Sequence, residues 1–150
     1  MTPDQILQAI PQRPPFRFID RILELDAEHI VAGYTFRHDE FFYRGHFPGD
    51  PVTPGVILTE AMAQAGVVAL GLYLCSQTLP PDELARWTTL FTECQVEFHL
   101  PVLPGDAVIL RGEKLFFRRM KLKSQVQLLL ADGRVAAEGT LAGVGVKRGQ

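Results

Sequence analysis

Cysteine is scarce in this chain, at two residues in 150, and Cys75 and Cys94 stand too far apart in sequence to read as a metal site or a disulfide framework. A basic excess is missing as well: the formal net charge is −2, so the chain offers no cationic footprint for nucleic-acid phosphates. It has no Gly-x-Ser-x-Gly elbow, no phosphate-binding loop and no dinucleotide fingerprint. Gly139, Gly143 and Gly145 close a strand-like run near the end of the chain rather than cradle a cofactor. Repeats, low-complexity stretches and long linkers are also lacking, so residues 1–150 read as one domain with one core. The N-terminus has no secretory pattern, which with the low cysteine count leads to an expectation of a reducing cytoplasm.

What the chain does have is 47% apolar residues, the balance of a soluble globular protein, and one long apolar run at residues 56–74. A bilayer span needs about 20 such residues. Glu60 inside the run and the lack of basic flanks make a spanning helix costly, so the run is expected to be a buried central helix and no membrane partner is expected.

Around that helix the elements fall in a definite order. Thr2, Pro3 and the apolar Ile6, Leu7 and Ile10 predict a short capped helix. Residues 16–25 and 29–36 predict two strands joined by Asp26-Ala27-Glu28. A loop rich in proline and glycine follows, with Thr53 as the expected cap and Pro54 in the first turn of the long helix. After Pro80-Pro81 the chain reads as strands at 88–100, 107–117, 120–130 and 135–144, with Asp132-Gly133 as a hairpin turn. Helix, strands, long helix and strand meander predict an α+β fold, an antiparallel sheet wrapped around one helix.

The chemistry concentrates between Gly45 and Gln64. Glu60 is the only charged residue between Asp50 and Asp82. Burial raises a carboxyl pKa, and a protonated Glu can donate to a leaving hydroxyl. Gln64 lies one turn on, where it faces the same side and can orient Glu60 or hold a water beside it. His46 sits in a loop whose backbone is fixed by Gly45, Gly49, Pro48, Pro51 and Pro54, which aims a side chain rather than leaving it to wander. The competing readings are a Glu60 that reaches the surface at a helix end and a His46 that caps a turn. His29, His38 and His99 read as structural or solvent-facing. His46, Asp50 and Glu60 do not have a recognised metal spacing, so no metal is expected.

The run Gly45-His46-Phe47-Pro48-Gly49-Asp50-Pro51-Val52-Thr53-Pro54-Gly55-Val56, followed by Glu60-Ala61-Met62-Ala63-Gln64, resembles the active-site signature of the 3-hydroxyacyl-acyl-carrier-protein dehydratases of the FabZ type. Pro14-Pro15-Phe16-Arg17-Phe18-Ile19-Asp20-Arg21 and Pro101-Val102-Leu103-Pro104-Gly105-Asp106 resemble two further segments of that family. The similarity implies a hot-dog fold with the helix from Pro54 to about Leu74 at its centre. It also implies dimers whose sites pair His46 of one subunit with Glu60 of the other, often as trimers of dimers. The FabA-type isomerising relatives carry Asp at the Glu60 position, which tilts this chain towards dehydration without isomerisation. Gln12 stands where the family usually has His, and Cys94-Gln95-Val96-Glu97 replaces a segment that usually ends in a basic residue. Both leave a specialised polyene, polyketide or aryl-chain pathway open beside fatty-acid synthesis.

The resemblance implies water loss from a 3-hydroxyacyl thioester, with His46 as base and Glu60 as acid and no metal or redox cofactor. The N–H groups of Gly55 and Val56 would receive the thioester oxygen, and Phe47, Val56, Phe91 and Phe98 would line an acyl slot. Substrate would arrive on the phosphopantetheine of an acidic acyl carrier protein. Arg118, Arg119, Lys121 and Lys123 would dock that carrier, unless they are only a solvated strand face. A hot-dog thioesterase and a non-catalytic subunit of a heterodimer are the rival readings.

Overall fold

A computed structural model describes residues 1–149 of the chain. Six strands form one antiparallel sheet in the order β1-β2-β4-β5-β6-β3. They are β1 (Arg21–Leu25), β2 (His29–Thr35), β3 (Trp87–Phe98), β4 (Ala107–Arg118), β5 (Lys121–Leu130) and β6 (Val135–Lys147). The central helix, Gly55–Ser76, lies against one face of this sheet, which is the arrangement expected from the sequence. The helix is long and apolar enough to cross a membrane, but 67% of its most apolar stretch is buried against the rest of the protein.

Side-chain alternation explains the sheet's two faces. Along β5, Leu122, Ser124, Val126 and Leu128 are buried towards the helix, whereas Lys121, Lys123, Gln125 and Gln127 point away. β4 and β5 are joined by a tight turn in which Arg119 and Met120 both take positive φ, 52° and 62°, matching the right-handed twist of the strands. Gly66 on the helix and Gly112 on β4 meet backbone to backbone, and a Cβ on Gly112 would lie 2.7 Å from the Gly66 Cα.

The helix is not uniform. Gly55–Ala63 and Leu70–Ser76 are α-helical, but Gln64–Ala69 between them is wound as a wider π-helix. Two side chains serve the polar groups of this stretch. The Ser124 hydroxyl donates to the Gly66 carbonyl at 2.7 Å. The fully buried Gln64 accepts from the Phe18 N–H at 2.7 Å and donates to the Phe16 carbonyl at 3.1 Å.

That second pair corrects the expectation of a strand over residues 16–25. Because Gln64 takes the Phe18 N–H, the segment runs irregularly over the helix and ladder pairing starts at Arg21. The expected N-terminal helix is present, with a reciprocal capping box between Thr2 and Gln5. A second short helix, Pro81–Leu84, was not expected. It has Pro81 in its first turn, Asp82 and Glu83 beside the positive end of its dipole, and Leu84 buried. The later strands fall close to their expected bounds.

At the sheet's far edge, β3 slips register on β6 between Phe91 and Glu93. The extra residue, Thr92, is a bulge, and it changes which positions share a face. Phe91 and Phe98, one odd and one even, come to the helix side, and Glu93 turns to the opposite face.

Candidate active site

The loop before the central helix is built as a rigid bracket for His46. Phe47 and Asp50 exchange backbone hydrogen bonds at 2.9 and 3.3 Å, with Gly49 at φ +73° in the turn between them. The His46 N–H donates to the Phe42 carbonyl and its own carbonyl accepts from Val52 N–H at 3.0 Å. The imidazole completes the bracket: Nδ1 lies 2.9 Å from the Val52 carbonyl oxygen. A carbonyl can only accept, so Nδ1 carries a proton, and in the neutral ring the lone pair is on Nε2. The Phe47 ring stacks on the imidazole with centroids 4.1 Å apart. Sequence reasoning did not name Val52 as the orienting group, since a main-chain carbonyl leaves no mark in residue identity.

Thr53, the expected cap, is engaged elsewhere: its hydroxyl and that of Tyr43 are 2.6 Å apart, and both residues are buried. Pro54 is the N-cap instead, with no side-chain bond. The first helical bonds run from Ile57 and Leu58 N–H to the Pro54 carbonyl, so the N–H groups of Gly55 and Val56 precede the ladder. Gly55 is also where a side chain would not fit comfortably, because a Cβ would meet the Phe98 ring at 3.2 Å. Beside it lies a hollow of about 430 Å³ between Leu58, Phe98 and Pro101.

Glu60 is half-buried, one helical turn past this start. Burial pushes its carboxyl above the ordinary range, and hydrogen bonding from Gln64 opposes that rise. Gln64 itself has no exposed surface with which to meet a substrate in the single chain. Its amide is anchored to the Phe16–Phe18 backbone. His46 and Glu60 share no hydrogen bond among the described residues. Val56 and Phe47 are 76% and 53% exposed, and Phe91 and Phe98 are about half-exposed at the sheet edge.

A family model described as a FabA-like domain matches residues 10–143. The chain belongs to the FabA-like family. Among FabA-like relatives, the 3-hydroxyacyl-[acyl-carrier-protein] dehydratase FabZ of Protochlamydia amoebophila is 36% identical over 149 residues, 98% of this chain and 91% of that protein. The enzyme of the same name from Thermus thermophilus is 41% identical over 137 residues, covering 91% and 92%. Two solved structures share the hot-dog fold at low identity. The dehydratase heterocomplex ApeI:P of Xenorhabdus doucetiae matches with a TM-score of 0.77 at 14% identity, over 99% of this chain and 93% of that one. The Haemophilus influenzae thioesterase HI1161 matches with 0.69 at 15%, over 100% and 94%.

This FabA-like chain differs in its expected docking cluster from a simple basic patch. Arg118 and Arg119 are exposed at the β4–β5 turn, and Arg118 lies over the Phe116 ring at 5.4 Å. Lys121 and Lys123 share the outer face, as alternation predicts, but both are paired with Glu93, at 2.6 and 3.5 Å. The other histidines include two that are structural in the way expected: His29 is bound to Glu24 and Asp26, and His99 to Glu138.

Proposed function

We propose that this chain removes water from a 3-hydroxyacyl thioester carried on acyl carrier protein, giving the trans-2-enoyl thioester, in fatty-acid biosynthesis or a specialised chain-building pathway. Two groups of complementary protonation carry this reading. One is a histidine whose Nδ1–H is spent on Val52, and the other is a helix carboxyl that burial drives towards its protonated form.

In the proposed reaction, His46 Nε2 takes the C2 proton, which the thioester carbonyl makes acidic. As the C2–C3 double bond forms, the C3–O bond breaks and Glu60 gives its proton to the departing hydroxyl, releasing water. Charge on the thioester oxygen is met by the Gly55 and Val56 N–H groups at the positive end of the helix. Proton exchange with solvent then resets both side chains. Acid–base chemistry suffices, so no metal or redox cofactor is invoked, and the phosphopantetheine arm belongs to the carrier.

The active unit is an oligomer in this reading. β3 is an open sheet edge bearing exposed Leu90, Phe91 and Phe98, the features of a strand that joins a second strand. A homodimer through β3, alone or within a hexamer, would bring one subunit's Glu60 to the other's His46. A related chain in a heterodimer is the variant of the same arrangement. Carrier docking is assigned to Arg118, Arg119, Lys121 and Lys123, and the working compartment to the cytoplasm.

Incubating the purified protein with 3-hydroxyacyl thioesters of several lengths, with products read by mass spectrometry, tests the proposal. Enoyl thioester is the expected product. Free acid and thiol would establish a thioesterase, and no turnover by the protein alone would point to the non-catalytic partner.

A further inference from the structure

The outer face of the sheet has a row that crosses three strands: Lys123 on β5 pairs with Ala142 on β6, and Ala142 pairs with Glu93 on β3. The middle residue is the smallest that can fill the position with a side chain. Ala142 is fully buried beneath its long neighbours, and over it the Glu93 carboxylate reaches both Lys123, at 3.5 Å, and Lys121, at 2.6 Å. Glu93 faces this way only because of the bulge at Thr92. In an unbroken strand it would share a face with Phe91, on the helix side.

We infer that Glu93 is a built-in acidic competitor for the carrier-docking surface, occupying the two lysines that an acidic carrier would otherwise meet. This deepens the docking reading given above and rests on it. The four cations are then of two kinds. Arg118 and Arg119, at the exposed turn and in no ion pair among the described residues, are open to a first encounter. Lys121 and Lys123 become available only when a carrier carboxylate or phosphate displaces or shares Glu93. A carrier must therefore present enough negative charge to win that exchange, which makes Glu93 a discriminator among acidic partners as well as a brake on affinity. Exposed pairs of this kind are weak enough to exchange readily.

The test is the affinity of Thermus thermophilus holo acyl carrier protein for the wild type, Glu93→Gln and Arg119→Glu, followed by calorimetry at two salt concentrations. Glu93→Gln should bind about two- to fivefold more tightly at low salt, the range spanned by exposed ion pairs, and the advantage should shrink as salt screens the lysines. A damaged fold loses affinity, so a gain cannot come from misfolding. Unchanged or weaker binding by Glu93→Gln, with Arg119→Glu still weaker than wild type, overturns the role of Glu93 and leaves the docking surface standing. Equal binding by Arg119→Glu and wild type, or no binding by wild type, overturns the docking surface and the Glu93 role with it.

Discussion

His46 and Glu60 are set by opposite devices. One is aimed by hydrogen bonds in an exposed loop, and the other is tuned by burial on a helix. Removing either proposed proton carrier, by His46→Ala or Glu60→Gln, should lower dehydration by at least about 100-fold, measured as kcat/KM on one thioester. Near-normal turnover by either variant would take that residue out of the reaction. The pH profile should separate them. In the proposed reaction Glu60 is the acid, so activity should fall as pH rises through its elevated pKa, and an alkaline limb within the ordinary carboxylate range would contradict the role assigned to burial. Stability should follow the same group. Because its folded pKa lies above its unfolded one, the stability Glu60 contributes is full below the unfolded pKa and is lost as pH rises through the folded one. Glu60→Gln cannot ionise, so it should melt at a higher temperature than wild type at alkaline pH, the gap closing in acid. A gap that is constant with pH would mean that Glu60 ionises freely in the folded protein.

The central helix and the strands at its back meet with almost no clearance. Gly112→Ala should cost about 1–3 kcal/mol in chemical denaturation, because its Cβ would press on the Gly66 backbone, which has no rotamer to change. Ser124→Ala should cost about 1–3 kcal/mol by leaving the Gly66 carbonyl unpaired in the core. Values near zero would show that the helix shifts to absorb both. These elements were legible in the sequence wherever a pattern had one cause. The β5 alternation, the Asp132-Gly133 hairpin and the Thr2 cap each follow from local residue type. The π stretch, the Thr92 bulge and the irregular run over Phe16–Phe18 were not legible, because each is met by residues distant in sequence. Ser124 is 58 residues from Gly66, and Gln64 is 46 from Phe18. At the site, the residue types of His46 and Glu60 were readable, whereas the Val52 carbonyl that orients the imidazole was not.

On the scale of the whole molecule, the proposal makes the single chain half of a composite surface. Its apolar groups at β3, on the His46 loop and at the helix start are exposed together, which is the reason a second copy is proposed. Phe91→Asp should shift the protein towards monomer in light scattering and reduce turnover in proportion, whereas an active monomer would refute composite sites. Mixing inactive His46→Ala with inactive Glu60→Gln should restore part of the activity once subunits exchange. A cross-interface site gives each mixed dimer one intact pair and one doubly damaged pair. Failure to recover, with exchange shown by native mass spectrometry, would place both residues of each site in one chain.

The wide turn at Gln64–Ala69 behaves like a dislocation in a crystal: it offsets one half of the rod against the other. One extra residue in an α-helix rotates everything beyond it by about 100°. The half carrying Glu60 and the half carrying Leu74 and Cys75 are therefore phased independently, and each faces its own surroundings. Shortening the chain by one residue within this stretch would heal the defect and mis-aim Glu60 against the other half of the helix, with Glu60 and His46 both still present in the sequence. For such a chain, length at this point carries as much information as identity.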